Sequence, residues 1–369
     1  MIDWKIFKLE ISDRFNYIVS LSPQKDLPFE LQLDDILEKY NLVLNNINIT
    51  EEELVFAKIF VTDCINQKNI MERHDLFQCK FKNCGFSIIE QPPLDGSKIN
   101  ILFWFIKGEK ILKYRLENAF YLHIDKYLHI YHCVRCNSKA YSDLSLQTNQ
   151  AFMQHKYLLK KYNMSVVDNC IRTWLYIRDI DKNYPYIVQG RNDFFGNNQL
   201  NINTHFIAST GIEGNGESKE TTLCIDLYSI KGIKQKQIKY LKALDFLNPT
   251  YEYGVSFERG TCISYRHIQH IYISGTASID KNGQCIYKGD VIKQLERIFV
   301  NIKNLLSDVK ASLNDIGCMI VYLRDISDYN SVKEYINEYY DSIPCVIVHA
   351  KVCRPEWLVE IECLALKKI

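Results

Sequence analysis

The chain has 369 residues, 47% hydrophobic and 24% charged, with a formal net charge of +1. That composition excludes a disordered chain, and the length implies two or three domains. The near-neutral charge leaves no electrostatic footprint for nucleic acid, and no apolar run approaches a membrane span.

The opening MIDWKIFKLE alternates and carries charge early, unlike an export signal. The thirteen cysteines therefore read as reduced thiols of a cytoplasmic protein. In chain order, NYIVSLS reads as a strand and residues 33–44 as a helix. KIFVTDC (58–64) is a strand ending at Asp63, and KINILFWFI (98–106) follows FSIIEQPPLDGS as a closing strand. The same order then recurs. YLHIYHCV is followed by a helix over 150–162, the strand WLYIRDI (174–180) ending at Asp179, and TLCIDLYSI (222–230). It recurs again from HIYISGTASI. The stretch 290–309 has apolar residues Val291, Leu295, Ile298, Ile302, Leu305 and Val309 at helical spacing. IVYLRDI (320–326) ends at Asp325, a second helix lies over 330–342, and CVIVHAKV and WLVEIECLAL close the chain.

Asp63, Asp179 and Asp325 are 116 and 146 residues apart, a domain-sized period. Each unit reads β–β–α–β–α–β–β, a two-layer α+β arrangement with helices on one sheet face. The expected fold is a pseudo-trimer of units 1–110, 111–235 and 236–369, in which three sheets share a barrel-like core and the chain acts as a monomer.

The strand at 357–366 carries Glu360 and Glu362. With a side-chain period of two, both acids point to one face. Two readings stand on spacing alone: an exposed edge that discourages aggregation, or a carboxyl pair in a cleft where one pKa is raised. HCVRC (132–136) holds one CxxC. Zinc needs four convergent ligands, so Cys133 and Cys136 read as buried thiols and no metal is expected. STGIEGNGES (209–218) lacks the Lys-Ser/Thr of a phosphate loop and reads as a flexible loop near the cleft.

The last unit, through YISGTASID, GDVIKQLERIFVNIKNLL, GCMIVYLRDI and LVEIECLAL, resembles the RidA (YjgF) family. The resemblance implies trimeric packing with clefts between units, and it puts Glu360 at that family's water-activating glutamate. The family's carboxylate-binding arginine falls near Cys345, where no arginine stands. The whole chain resembles the chorismatases, through EQPPLDGSKI, RTWLYIRDI, GRNDFF, YEYGVSFERGTCI, YISGTASI and VCRPEWLVEIE. That resemblance implies cofactor-free cleavage of the enolpyruvyl ether of chorismate, giving pyruvate plus a hydroxybenzoate or a dihydroxycyclohexadiene carboxylate. The alternative is a RidA-type imine deaminase or a module that binds a small acid.

Chorismate is a dianion, so arginines are its natural clamps. The expected catalytic residues are Glu360 as proton donor and Cys353 lining the ring pocket, the latter implied by the resemblance to favour 3-hydroxybenzoate. Arg191, Arg259, Arg354, Tyr253, Gly275 and Ala277 are the expected substrate-binding residues. Arg172, Arg178 and Arg324 read as structural. The partner is a small-molecule substrate, with neither nucleic acid nor membrane.

Overall fold

In the computed structural model, which describes residues 4–108, 110–137 and 143–369, three mixed sheets succeed one another along the chain. The first holds β1 (Trp4–Ile11), β2 (Arg14–Leu21), β3 (Leu54–Val61), β4 (Gly85–Glu90) and β5 (Ile99–Lys107), with α1 (Phe29–Asn46) and α2 (Cys64–Arg73). The second holds β6 (Ile111–Leu116), β7 (Ala119–Ile124), β8 (Tyr127–Asn137), β9 (Cys170–Ile177), β10 (Ala208–Glu213) and β11 (Thr221–Lys231). Its helices are α3 (Leu144–Lys161), α4 (Val166–Asn169) and α5 (Ile180–Gly196). The third holds β12 (Ile238–Leu241), β13 (Gly260–Ser264), β14 (Ile268–Thr276), β15 (Ile316–Leu323), β16 (Cys345–His349) and β17 (Val359–Lys368). Its helices are α6 (Val291–Ser307) and α7 (Tyr329–Tyr340).

The strand orders are β1-β2-β5-β3-β4, β6-β7-β8-β11-β9-β10 and β12-β13-β14-β17-β15-β16. They are one topology three times. A hairpin comes first, the last strand inserts beside it, and a parallel β–α–β pair lies beyond. The three aspartates mark the same junction. Asp63 caps α2 by accepting from Asn66 N, and Asp325 accepts from Ser327 N. Asp179 instead sits in the left-handed region at φ 54° and starts α5 without a side-chain cap.

Why each helix faces one way follows from its stripe. On α6, Leu295, Ile298, Ile302 and Leu305 are fully buried at helical spacing and pack on the third sheet. Leu33, Ile36 and Tyr40 of α1 do the same against Ile59, Ile101 and Phe103. The other sheet faces meet one another. Val55, Ile106, Tyr131, Ile171, Tyr228, Ile263 and Tyr272, drawn from all three sheets, form one apolar cluster. Sheets line the inside and helices the outside.

Two sequence expectations differ from this structure. The segment 209–218 is not simply a loop: its first half is β10, paired in parallel with β9, and Ile212 bridges Val352 of the third unit. Its glycines mask a strand that joins two units. β17 is not an edge, because it lies between β14 and β15, and Glu360 and Glu362 are 4% and 5% exposed. Cys133 and Cys136 lie three residues apart on β8, an odd spacing that sends the two thiols to opposite faces.

Candidate active site

The two acids share a face of β17 but not an environment. Glu362 points to where the three units converge. Lys58 Nζ of the first unit lies 3.0 Å from its Oε1, Arg172 Nη2 of the second lies 2.8 Å from its Oε2, and Trp174 Nε1 donates to Oε1 at 2.9 Å. Thr210 Oγ1 also donates to Glu362. Burial alone would raise this carboxyl, but Lys58 and Arg172 outweigh it and hold Glu362 below the usual range.

Glu360, two residues earlier, opens into a cavity between the second and third units. Desolvation first, then the negative charge of Glu362, pushes its pKa up to about 8, against the pull of Arg172 and Arg259. The shift favours the protonated acid near neutral pH. Gly275 makes room for it, since a Cβ there would collide with Glu360 Oε1. The space that the missing side chain leaves at Gly275 is taken by the carboxyl itself.

The cavity brings together Arg191, Arg259, Gly275, Ala277, Cys353, Arg354 and Glu360, which are far apart in sequence. Arg191 projects from α5, and Arg259 precedes β13. Both are buried, at 3% and 6% exposure. Arg259 Nη2 donates to Asn248 O at 3.1 Å, and its guanidinium stacks 5.4 Å from the Phe257 ring. Arg354 lies 5.1 Å from the Trp357 ring. The Cys353 thiol is pushed up to about 12 by burial and by Glu360, so it is a neutral wall rather than a nucleophile. The side chain of Tyr253 lies outside the described residues.

The wall facing β14 is β10. Ser209 N donates to Ser274 Oγ and Gly275 N donates to Thr210 Oγ1, both at 2.9 Å. This corrects the comparison made at Cys345. Cys345 pairs with Met319, whereas the strand closing Glu360's own cleft carries Ser209, paired with Thr173 at the matching register. Neither position is an arginine. Arg178 and Arg324 do bind structure: Arg178 Nε donates to Thr221 O at 2.9 Å, and Arg324 pairs with Asp181. Arg172 does more, because it neutralises Glu362 beside the acid. The sequence signal for this cluster was Lys58, a charge at an inward position of an otherwise apolar strand.

Strand register shows why one cleft differs from the others. Glu360 is opposite Tyr322, Cys224 opposite Tyr176, and Asn100 opposite Phe60. Units two and one therefore carry a thiol and an amide where unit three has its acid. In the second cleft Arg135 Nη1 lies 2.7 Å from Asp226 Oδ1 and pairs its charge. In the third, Asn100 Nδ2 donates to Asp95 Oδ2 at 3.2 Å. Among the described residues no group of three or more His, Cys, Asp or Glu side chains is placed to hold a metal ion, and no helix is long and apolar enough to cross a membrane.

A chain of three such units defines a fold class, and comparison with known proteins agrees. Residues 263–367 match the endoribonuclease L-PSP family. The chain belongs to the RutC family. It is 35% identical over 100 residues to a RutC family protein of Pyrococcus abyssi (strain GE5 / Orsay), covering 27% of this chain and 79% of that one. It is 30% identical over 97 residues to the 3-aminoacrylate deaminase RutC of Acinetobacter baylyi (strain ATCC 33305 / BD413 / ADP1), covering 26% and 77%. The whole chain has the fold of a chorismatase crystal structure, with TM-score 0.67, 16% identity, and coverage of 96% of this chain and 100% of that one.

Proposed function

We propose that the chain cleaves the enolpyruvyl ether of chorismate or a closely similar dianion, releasing pyruvate and a hydroxybenzoate, with 3-hydroxybenzoate favoured. The observation that carries this reading is a buried carboxyl at Glu360, its pKa raised by desolvation, facing a cavity lined by Arg191, Arg259 and Arg354. An enol ether is inert to nucleophiles until its methylene carbon is protonated. Glu360 delivers that proton, forming the C–H bond of the future pyruvate methyl and an oxocarbenium ion at the ether carbon. The carboxylate left behind stands beside the cation and stabilises it. The C–O bond to the ring then breaks, its electron pair going to the pyruvate carbonyl oxygen. The neighbouring ring hydroxyl closes onto the vacated carbon and returns its proton to Glu360. Aromatisation with the oxygen kept on that carbon gives 3-hydroxybenzoate, whereas capture by water gives the diene diol. Going to a hydroxybenzoate, the overall change consumes no water, and going to the diene diol it consumes one.

In this reading the units divide the work. Unit 236–369 supplies the acid and most of the wall, unit 111–235 supplies Arg191 and β10, and unit 1–110 supplies Lys58. The arginines would hold the substrate carboxylates in two-pronged contacts. The cavity has a volume of about 40 Å³, and Arg354 and Trp357 form part of its wall. The lack of an arginine at either Ser209 or Cys345 is what disfavours imine deamination. Incubating the purified protein with chorismate in deuterated water tests the proposal. Pyruvate carrying one solvent deuteron in its methyl group, with an aromatic acid, is expected. Unconsumed chorismate overturns the substrate, and pyruvate free of solvent deuterium overturns the proton donor.

A further inference from the structure

The far end of the barrel holds a larger cavity that the reaction does not use. Its volume is about 570 Å³, and the three β-hairpin turns at 12–13, 125–126 and 266–267 surround it. As the third residue after each turn, Asn16, His129 and His270 take equivalent inward positions on its floor. All three are more than nine-tenths buried.

Two members of this ring are satisfied from the neighbouring central strand. Trp104 Nε1 donates to Asn16 Oδ1 at 3.2 Å, and the Tyr228 hydroxyl lies 2.6 Å from His129 Nδ1. Trp104 and Tyr228 stand four residues after Asn100 and Cys224. The equivalent in the third unit, four after Glu360, is Leu364, which has no polar atom. His270 Nδ1 is accordingly buried without a hydrogen-bond partner. An unmade buried hydrogen bond costs about 1–3 kcal/mol, and natural proteins keep few of them. A half-turn of the imidazole exchanges Nδ1 with Cδ2 and turns the unpaired nitrogen to the other side of the ring. Burial pushes both imidazoles down to about 3, so the floor is neutral and polar rather than cationic.

The walls and rim supply other chemistry. Tyr127 and Tyr265 flank the floor, and the Tyr265 ring stands 5.0 Å from that of His270. At the rim, Asp125 pairs with Arg14 at 3.5 Å, which leaves Lys126 and Arg266 to set against Asp13. The surplus is one positive charge. A cavity of this size with an aromatic wall and a few convergent polar groups has the character of a ligand site.

We propose that the barrel mouth is a second binding site, separate from the Glu360 cavity, for a ring-bearing monocarboxylate that also carries a ring hydroxyl. The carboxylate meets Lys126 and Arg266, the ring lies against Tyr265 and Tyr127, and the hydroxyl reaches the His270 imidazole. His270 is opposite Leu366 on β17, six residues beyond Glu360, or about 20 Å along the strand. Binding here depends on the far cavity alone and not on what Glu360 does.

Calorimetric titration with 3-hydroxybenzoate, benzoate and 3-methylphenol tests it. The titrations use the full chain carrying Arg259→Ala, which removes a wall of the Glu360 cavity, and the same chain with Lys126→Glu and Arg266→Glu added. Expected is saturable binding of 3-hydroxybenzoate to the Arg259→Ala chain, weakened at least tenfold by the two rim substitutions. Benzoate should bind less tightly and 3-methylphenol not measurably. His270→Phe, which keeps the ring but not the nitrogens, should erase the preference for 3-hydroxybenzoate over benzoate. No binding to the Arg259→Ala chain, or binding that ignores both rim substitutions, overturns the proposal.

Discussion

Glu360→Gln keeps the shape of the side chain and removes the proton. If Glu360 is the acid, turnover falls by roughly two to four orders of magnitude, about 3–5 kcal/mol on the barrier. The same substitution has a signature in stability that does not depend on the substrate. The Glu360 carboxyl is raised from 4.5 to about 8 on folding. Between those values the folded chain keeps a proton that the unfolded chain gives up, so stability falls as pH rises through the window. At 1.36 kcal/mol per pKa unit the full loss is about 5 kcal/mol, an upper bound because a buried pair relaxes. A glutamine at this position would carry no such loss. Urea melts at pH 5 and pH 9, run beside pyruvate release, measure both effects. The variant should match the wild type near pH 5 and exceed it by a few kcal/mol at pH 9. Wild-type kcat/KM should fall above about pH 8 as the acid ionises. Full turnover in Glu360→Gln, or parallel stability curves for the two proteins, would refute a buried neutral acid at this position.

Other substitutions probe its surroundings. Arg259→Ala should raise KM for the dianion at least tenfold with the fold intact, as loss of a charged partner costs about 2–5 kcal/mol; unchanged steady-state constants would remove this residue from the site. Gly275→Ala drives a Cβ into Glu360 Oε1, so kcat should fall while far-ultraviolet circular dichroism stays the same. Cys353→Ala should alter the ratio of hydroxybenzoate to diene diol, read by chromatography, with chorismate consumption retained. Glu362→Gln removes the negative neighbour that helps raise Glu360, so the alkaline limb of the pH–rate profile should move to lower pH. It also leaves Lys58 and Arg172 buried without their counter-charge, a loss of about 3–5 kcal/mol in urea melts.

Much of the architecture was legible in the chain because it repeats. Helical periodicity on α6 and three strand–Asp junctions were enough to order the elements, since both reflect local rules of burial and capping. What the chain did not reveal is which strand lies where in a sheet. β17 follows β16 in sequence but sits between β14 and β15, so acids that look like edge residues are at the centre. β10 was hidden for the opposite reason. It is short and carries Gly211, whose missing side chain lets the Tyr184 ring come within 3.2 Å of where a Cβ would stand. Arg172 read as structural because nothing in its own neighbourhood announces Glu362, 190 residues away.

The two acids of β17 show how one strand face serves two ends. A period of two places both on the barrel side, and from there the outcome depends on what the other units contribute. At Glu362 the neighbours are Lys58 and Arg172, so ionisation is favoured and the charge welds three units together. At Glu360 desolvation outweighs the pull of Arg172 and Arg259, and the fixed negative charge at Glu362 adds to it. The anion at one position thus keeps the acid at the other. In the second unit the same pair of positions holds Cys224 and Asp226, and Asp226 takes Arg135 into the cleft as its counter-ion. In the first unit the pair is Asn100 and Leu102, and neither can ionise. An internal pseudo-trimer can therefore concentrate a perturbed carboxyl in one cleft, because each remaining cleft has either paired its charge or lost it.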